Sequence, residues 1–249
     1  MSEWILSENT DGIVHVRLNR ASKKNALTSD MYRALSEHIH AAAADIQVKA
    51  VVLSAEGSDF CAGNDILDFM QSGFMNGGVE DLPVFQFLKA INYFPKPLVA
   101  AVQGQAVGVG TTLLLHCDLV YLSSDARLSL PFVQLGLVPE AGSSRLLPKL
   151  VGHQRAFAWM TLGEVVTAPE ALRLNLATAV VDDDVLGAAM VAARRLAKLS
   201  PSALRHTKSL MRDPDDLWAV IVEEGRIFRE QLASPEAAQA FTAFMKKSA

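Results

Sequence analysis

Glu140 is the most informative side chain in this sequence. It lies in Leu130-Pro-Phe-Val-Gln-Leu-Gly-Leu-Val-Pro-Glu-Ala-Gly-Ser-Ser-Arg145 and is the only charged residue among the 17 from Leu128 to Ser144. A carboxylate in such surroundings loses water, which raises its proton affinity and makes it a better base. A structural role competes with this reading, because an acid just ahead of a helix starting at Ser143 favours the dipole of that helix.

Two glycine-containing turns offer chemistry of the opposite sign. In Gly57-Ser-Asp-Phe-Cys-Ala-Gly-Asn-Asp-Ile66, Gly63 allows a sharp turn that leaves the N–H groups of Asn64 and Asp65 outward at a helix start. Such unpaired donors hold anions or oxyanions, although every α/β protein also has ordinary turns of this kind. Cys61 is read as packing. In Gln103-Gly-Gln-Ala-Val-Gly-Val-Gly-Thr-Thr112 the free donors lie around Val109 and Gly110. The glycines there miss the third position of a dinucleotide fingerprint and no acid follows at the right spacing, which argues against a Rossmann site. Two helix N-termini after neighbouring strands can grip one oxygen together, and losing one such donor costs about 3 to 4 kcal/mol of barrier.

Weaker candidates fall away. His116-Cys117-Asp118 resembles a nucleophile cluster, but sequence neighbours do not face one another, and a core histidine is the better reading. No G-x-S-x-G elbow is present. Arg20, Lys23 and Lys24 form either a solvated loop or a phosphate contact. His153, His206 and the remaining histidines lack metal-ligand spacing.

These groups need elements to position them. Trp4 to Ser7 and Ile13 to Leu18 read as a hairpin around Asn9-Thr10-Asp11-Gly12. Thr28 is an N-cap for a helix with Met31, Leu35, Ile39 and Ala42 on one face. Ala50 to Leu53 and Leu98 to Val102 are strands buried on both faces, and each leads into one of the two turns. Asp65 to Met70 begins a helix, and Gln71 to Glu80, with three glycines and no period, is read as a flap. Leu82 to Tyr93 is a helix, Gly108 to Cys117 an apolar helix, and Leu119 to Leu122 and Ala126 to Leu130 are short strands. From Ser143 the chain is helical, interrupted by one strand-like run at Ala179 to Val181. The pattern is an α/β core followed by a helical tail, with no repeat of 20 to 50 residues.

Composition limits the function classes. The 249 residues suit one large domain; 50% are hydrophobic, 20% charged and 7% aromatic, which excludes disordered and disulfide-scaffold proteins. A net charge of −4 and a pI near 5.9 argue against nucleic acid as the main partner. Mean hydropathy is +0.21, and Pro97 to Cys117 runs 21 residues without Asp, Glu, Lys or Arg. Its glycines, glutamines and proline nevertheless argue against a membrane span. The start has no basic n-region, Ser248-Ala249 is no peroxisomal ending, and two cysteines give no disulfide framework. A cytoplasmic protein is expected, with some apolar surface buried between subunits.

Taken in order, Asn19-Arg20-Ala-Ser-Lys-Lys-Asn25-Ala-Leu27, Phe60-Cys-Ala-Gly-Asn-Asp-Ile66, Lys96-Pro-Leu-Val-Ala-Ala-Val-Gln-Gly104 and Cys117-Asp118-Leu119 resemble the crotonase (enoyl-CoA hydratase/isomerase) superfamily. The resemblance runs from the N-terminal hairpin to about residue 181, the tail fitting in outline. It implies an α/β fold, a ClpP-like spiral of ββα units over residues 1–195. Residues 196–249 would then form a helical trimerisation region, giving trimers or dimers of trimers. It implies an acyl-CoA thioester substrate and no further cofactor. The thioester oxygen would lie between the N–H groups of Asn64 and Val109. Lys24, Ala26, Leu27, Ala62, Gly63, Asn64, Asp65, Ile66 and Phe132 would line the substrate and CoA site.

Within that superfamily the acids decide the reaction. The positions matching the two glutamates of typical hydratases are Thr112 and Phe132, both non-acidic. Pro131-Phe132-x-x-Leu135-Gly136-Leu137-Val138-x-Glu140 with Gly63-Asn64-Asp65 is similar to peroxisomal-type Δ3,Δ2-enoyl-CoA isomerases. In those enzymes a single glutamate at the Glu140 position is the base. The similarity implies an isomerase of fatty-acid β-oxidation, with another enolate reaction or non-catalytic CoA binding as alternatives. Phe69, Met70, Phe74 and Met75 are expected near the acyl chain.

Overall fold

The computed structural model describes residues 3–71 and 78–248. The hairpin strands are β1 (Ile5–Thr10) and β2 (Ile13–Leu18). They are joined by Asp11 and Gly12 at φ 54° and 81°, the left-handed pair that a two-residue hairpin turn requires. Thr28 caps α1 (Ser29–Ala44) by accepting from the Met31 N–H, as its spacing predicts. Next come β3 (Ala50–Ala55), α2 (Ile66–Gln71), α3 (Pro83–Asn92), β4 (Leu98–Val102) and β5 (Gln105–Val107).

The apolar segment expected as one helix over Gly108 to Cys117 is split. It forms α4 (Val109–Thr112), then tightens to a 3-10 helix at Leu113–His116. The chain continues through β6 (Leu119–Ser123), β7 (Arg127–Ser129), α5 (Ser143–Val151), α6 (His153–Leu162), β8 (Val165–Thr167), α7 (Ala168–Arg173) and β9 (Ala179–Val181). It ends in α8 (Val185–Ala197), α9 (Pro201–Met211), α10 (Pro214–Leu232) and α11 (Pro235–Ser248). β5 and β8 were not expected from sequence; each has only three residues, too few to show a period. The expected flap at Gln71 to Glu80 lies largely outside the described residues, except for a 3-10 turn at Val79–Asp81.

A six-stranded sheet runs β1-β2-β3-β4-β6-β9, parallel except for the hairpin. Alternation divides its side chains between two faces. Ile13, Ala50, Val52, Val99 and Ala101 pack on Ala189 and Ala193 of α8, while Val14, Val51, Leu53, Leu98, Ala100 and Val102 enter the larger core with α1 and α3. Strands covered on both sides explain the unbroken apolar runs of β3 and β4.

A second sheet, β5-β7-β8, stands beyond the end of β4. Gly104 makes the transition at φ 57°, where an added Cβ would lie 2.0 Å from the Ser58 carbonyl oxygen. Only glycine permits β5 to be pressed so closely against the loop that follows β3.

Candidate active site

The loops leaving β3 and β4 are zipped together by backbone hydrogen bonds. Cys61 N–H donates to Gln105 O at 3.0 Å and Val107 N–H donates to Cys61 O at 2.9 Å. On the other side of the same loop, Ala62 N–H donates to Lys24 O at 2.9 Å, Leu27 N–H to Gly63 O at 2.8 Å and Asp65 N–H to Leu27 O at 2.8 Å. This parallel bridge uses the residues on either side of Asn64, so the Asn64 N–H is not part of it. Lys24, Ala26, Leu27 and the run Ala62 to Ile66 are therefore brought into one layer.

α4 meets that layer head-on. Gly108 precedes it at φ 54° and ψ −119°, a conformation open only to glycine. Val109 is the first helical residue, so its N–H has no intrahelical acceptor. A Cβ on Gly110 would lie 2.6 Å from Cys61 O, and one on Gly63 would lie 3.0 Å from Val107 O. The Asn64 and Val109 donors thus belong to two backbone segments in direct contact. Two such N–H groups aimed at one oxygen stabilise negative charge developing on it. Phe132 is 6% exposed and its ring edge is 4.0 Å from the point a Gly108 Cβ would occupy.

Side chains around the loop hold its shape. Asn25, fully buried in the left-handed region, accepts from Arg20 N–H at 2.8 Å and donates to Glu56 O at 2.9 Å and Asp59 O at 2.8 Å. Arg20 donates to Ala26 O at 2.9 Å and to Asp65 at 2.8 Å. Asp65 caps α2 through the Leu67 and Asp68 N–H groups. Burial opposes ionisation of Asp65, but Arg20 and the two N–H groups prevail and hold its carboxyl below the usual range. Arg20 is therefore a structural anchor. Lys24 is exposed and 3.7 Å from Asp59.

Glu140 shares a cavity with Asn64; Val84, Phe85 and Leu88 of α3 and Gly225 and Phe228 of α10 form the rest of its wall. Glu140 is 8% exposed and accepts from the buried Thr112 hydroxyl. Burial pushes its pKa up to about 8, assisted by the charge of Glu224 and opposed by the Thr112 hydrogen bond. That value places the carboxyl where a general base works near neutral pH.

Sequence reasoning missed two partners, Tyr32 and Glu224. Tyr32 of α1 is buried and donates to Asn64 Oδ1 at 2.6 Å; burial, then the charge of Glu140, pushes its hydroxyl well above its ordinary pKa. Glu224 of α10 accepts from Gly142 N–H at 2.6 Å and Ser144 N–H at 2.9 Å. The dipole role weighed for Glu140 at the start of α5 is therefore performed by Glu224. A signal existed for Glu224: with Leu217, Ile221 and Phe228 it occupies the buried stripe of α10, where an acid is out of place. His116 is the core residue expected, but only half satisfied: Nε2 reaches Ala141 O at 2.8 Å while Nδ1 has no partner among the described residues. Burial drives its pKa down to about 4, so the ring is neutral. The side chains of Phe69, Met70, Phe74 and Met75 lie outside the described residues.

The sheet order, with the segments of Asn64 and Val109 in contact and the buried Glu140 in the same cavity as Asn64, is that of the crotonase fold. A family model for enoyl-CoA hydratase/isomerase matches residues 8–249, and the chain belongs to that family. It is 33% identical to human enoyl-CoA delta isomerase 2 over 98% of its own length, spanning 64% of the human protein. It is 31% identical to 2,3-dehydroadipyl-CoA hydratase of Escherichia coli strain K12, covering 99% of this chain and 97% of the relative. The structure of OdaA from Pseudomonas aeruginosa superposes with a TM-score of 0.93 at 47% identity, covering 98% of this chain and 99% of the other. Among the described residues no helix is long and apolar enough to cross a membrane, and no cluster of His, Cys, Asp or Glu could hold a metal ion.

Proposed function

We propose that this chain is a Δ3,Δ2-enoyl-CoA isomerase with Glu140 as its single base. The observation that carries the reading is the buried Glu140 carboxyl, pushed up to about 8 and facing the same cavity as Asn64. Thr112 and Phe132 stand where the resemblance places the two acids of a hydratase, and Thr112 serves Glu140 as a hydrogen-bond donor.

The chemistry follows from those groups. The C2 protons of a 3-enoyl-CoA are acidified by both the thioester and the alkene. Glu140 removes one, the Asn64 and Val109 N–H groups stabilise the dienolate oxygen, and the same carboxyl returns the proton at C4. The double bond moves to C2, in conjugation with the thioester. One acid suffices when abstraction and delivery occur on one face of a planar intermediate, and the reaction needs no cofactor beyond the CoA of the substrate. Phe85, Leu88 and Phe228 provide the apolar wall for the acyl part, and the segment from Lys24 to Leu27 borders the CoA side.

Assay of the purified protein with 3-enoyl-CoA and with 2-enoyl-CoA, beside Glu140→Gln, tests the reading. Isomerisation that collapses in the variant is the expected result. Equal isomerisation by both proteins removes Glu140 from its role, and robust hydration of 2-enoyl-CoA replaces the isomerase with a hydratase. We also propose a trimer or dimer of trimers, supported by the exposed Phe157, Leu162, Leu210 and Met211; a stable monomer in sedimentation would refute it.

A further inference from the structure

We propose that Glu224 of α10 is a positioning residue for Glu140: it clamps the turn that carries the base, and its negative charge adds to the burial that sets when the base is free to accept a proton. The proposal rests on reading Glu140 as the base. It adds that the C-terminal helical region tunes this base, although Glu224 touches no reacting atom.

The turn after Glu140 needs a clamp. Ala141 and Gly142 are both left-handed, at φ 59° and 73°, and the alanine is strained there by about 1 to 2 kcal/mol. Four hydrogen bonds hold this geometry: Ser143 N–H to Glu140 O at 3.1 Å, His116 Nε2 to Ala141 O at 2.8 Å, and the Gly142 and Ser144 N–H groups to Glu224 at 2.6 and 2.9 Å. α10 is pressed onto the same turn, since a Cβ on Gly142 would lie 2.5 Å from Leu217 Cδ1. Burial raises the Glu224 pKa, while both of its oxygens accept N–H groups at a helix N-terminus, an arrangement that favours the ionised form.

The charge matters because the other titratable groups around Glu140 are neutral near pH 7. Tyr32 from α1 is pushed well up, Cys61 from the loop is pushed up to about 12, and His116 below Ala141 is pushed down to about 4. Around Glu224, Arg145 of α5 pairs with Asp216 at 3.5 Å, Lys89 of α3 lies over Trp218, and Glu80 accepts from the Trp218 indole. On α10 itself Glu223 and Glu230 are exposed and paired with Arg226. Glu224 is the charged side chain that adds to the effect of burial on Glu140.

The test uses the full chain labelled with 13C at the glutamate carboxyl carbons, with the Glu140 resonance assigned by its loss in Glu140→Gln. In Glu224→Gln the Glu140 titration midpoint should fall, and the acid limb of the isomerisation rate should fall with it. In Glu224→Asp the charge stays but the reach shortens, so kcat should drop about a hundredfold through misplacement of the base while KM changes little. A merely structural Glu224 would not move the midpoint. An unchanged Glu140 midpoint in folded Glu224→Gln overturns the proposal; if that variant does not fold, a parent-like kcat in Glu224→Asp overturns it. A midpoint that moves in a protein inactive on 3-enoyl-CoA supports the clamp and sinks the isomerase reading alone.

Discussion

The loop that carries Glu140 and the helix that carries Glu224 each bring a glutamate to the same buried region, and the two carboxyls are used in opposite ways. Glu224 spends both oxygens on backbone N–H groups, whereas Glu140 receives the Thr112 hydroxyl and faces the cavity it shares with Asn64. Both are raised by burial, then shaped by their partners. A buried acid is thus classified by what meets its oxygens: engaged by backbone donors it positions a turn, and left facing a cavity it is available to take a proton.

The sharpest way to break this contrast is Glu140→Gln. Loss of the general base should lower isomerisation by roughly 10² to 10⁴-fold with the fold intact, as measured by kcat and circular dichroism; a loss below tenfold would place the base elsewhere. The next effect is on stability against pH. Glu140 is pushed up from 4.5 to about 8 in the folded protein, so its favourable contribution is complete below about pH 4.5 and is lost as pH rises through about 8. The stability of the parent relative to Glu140→Gln should fall across that window by on the order of 5 kcal/mol. Denaturant titrations at several pH values measure this difference, and a flat difference contradicts it.

Glu224→Leu probes the other carboxyl. It leaves the Gly142 and Ser144 N–H groups without acceptors and should cost on the order of 2 to 4 kcal/mol of unfolding free energy in urea. A loss under about 0.5 kcal/mol would show that water replaces the clamp at no cost. Thr112→Val should have the smallest effect. Without the hydroxyl the Glu140 midpoint rises further, so the rate at pH 7 should fall about tenfold and its acid limb should move to higher pH, in line with about 1.5 kcal/mol for a hydrogen bond to a charged group. An unmoved limb would mean the Thr112 contact does not tune the base.

Much of the fold was legible because its signals are short-range. Thr28 capping α1, the Asp11-Gly12 turn and the buried runs of β3 and β4 each depend on residues within a few positions. Failures came where three-residue strands carry no period, at β5 and β8, and where an apolar run cannot distinguish an α-helix from the 3-10 turn that follows α4. Arg20 and Lys24, equally basic in sequence, separate only in space: one is locked to Asp65 and Ala26, the other is exposed.

The sequence by itself determined the two glycine turns and the isolation of Glu140 in an uncharged run, because backbone permissiveness and local charge density are written into neighbouring residues. Tertiary structure decided which acid caps α5 and which faces the cavity, and that Tyr32 and Thr112 reach Asn64 and Glu140. Those contacts join residues 82, 80, 32 and 28 positions apart. A carboxyl's proton affinity depends on the donors, charges and burial around it, and only the packed chain brings these together.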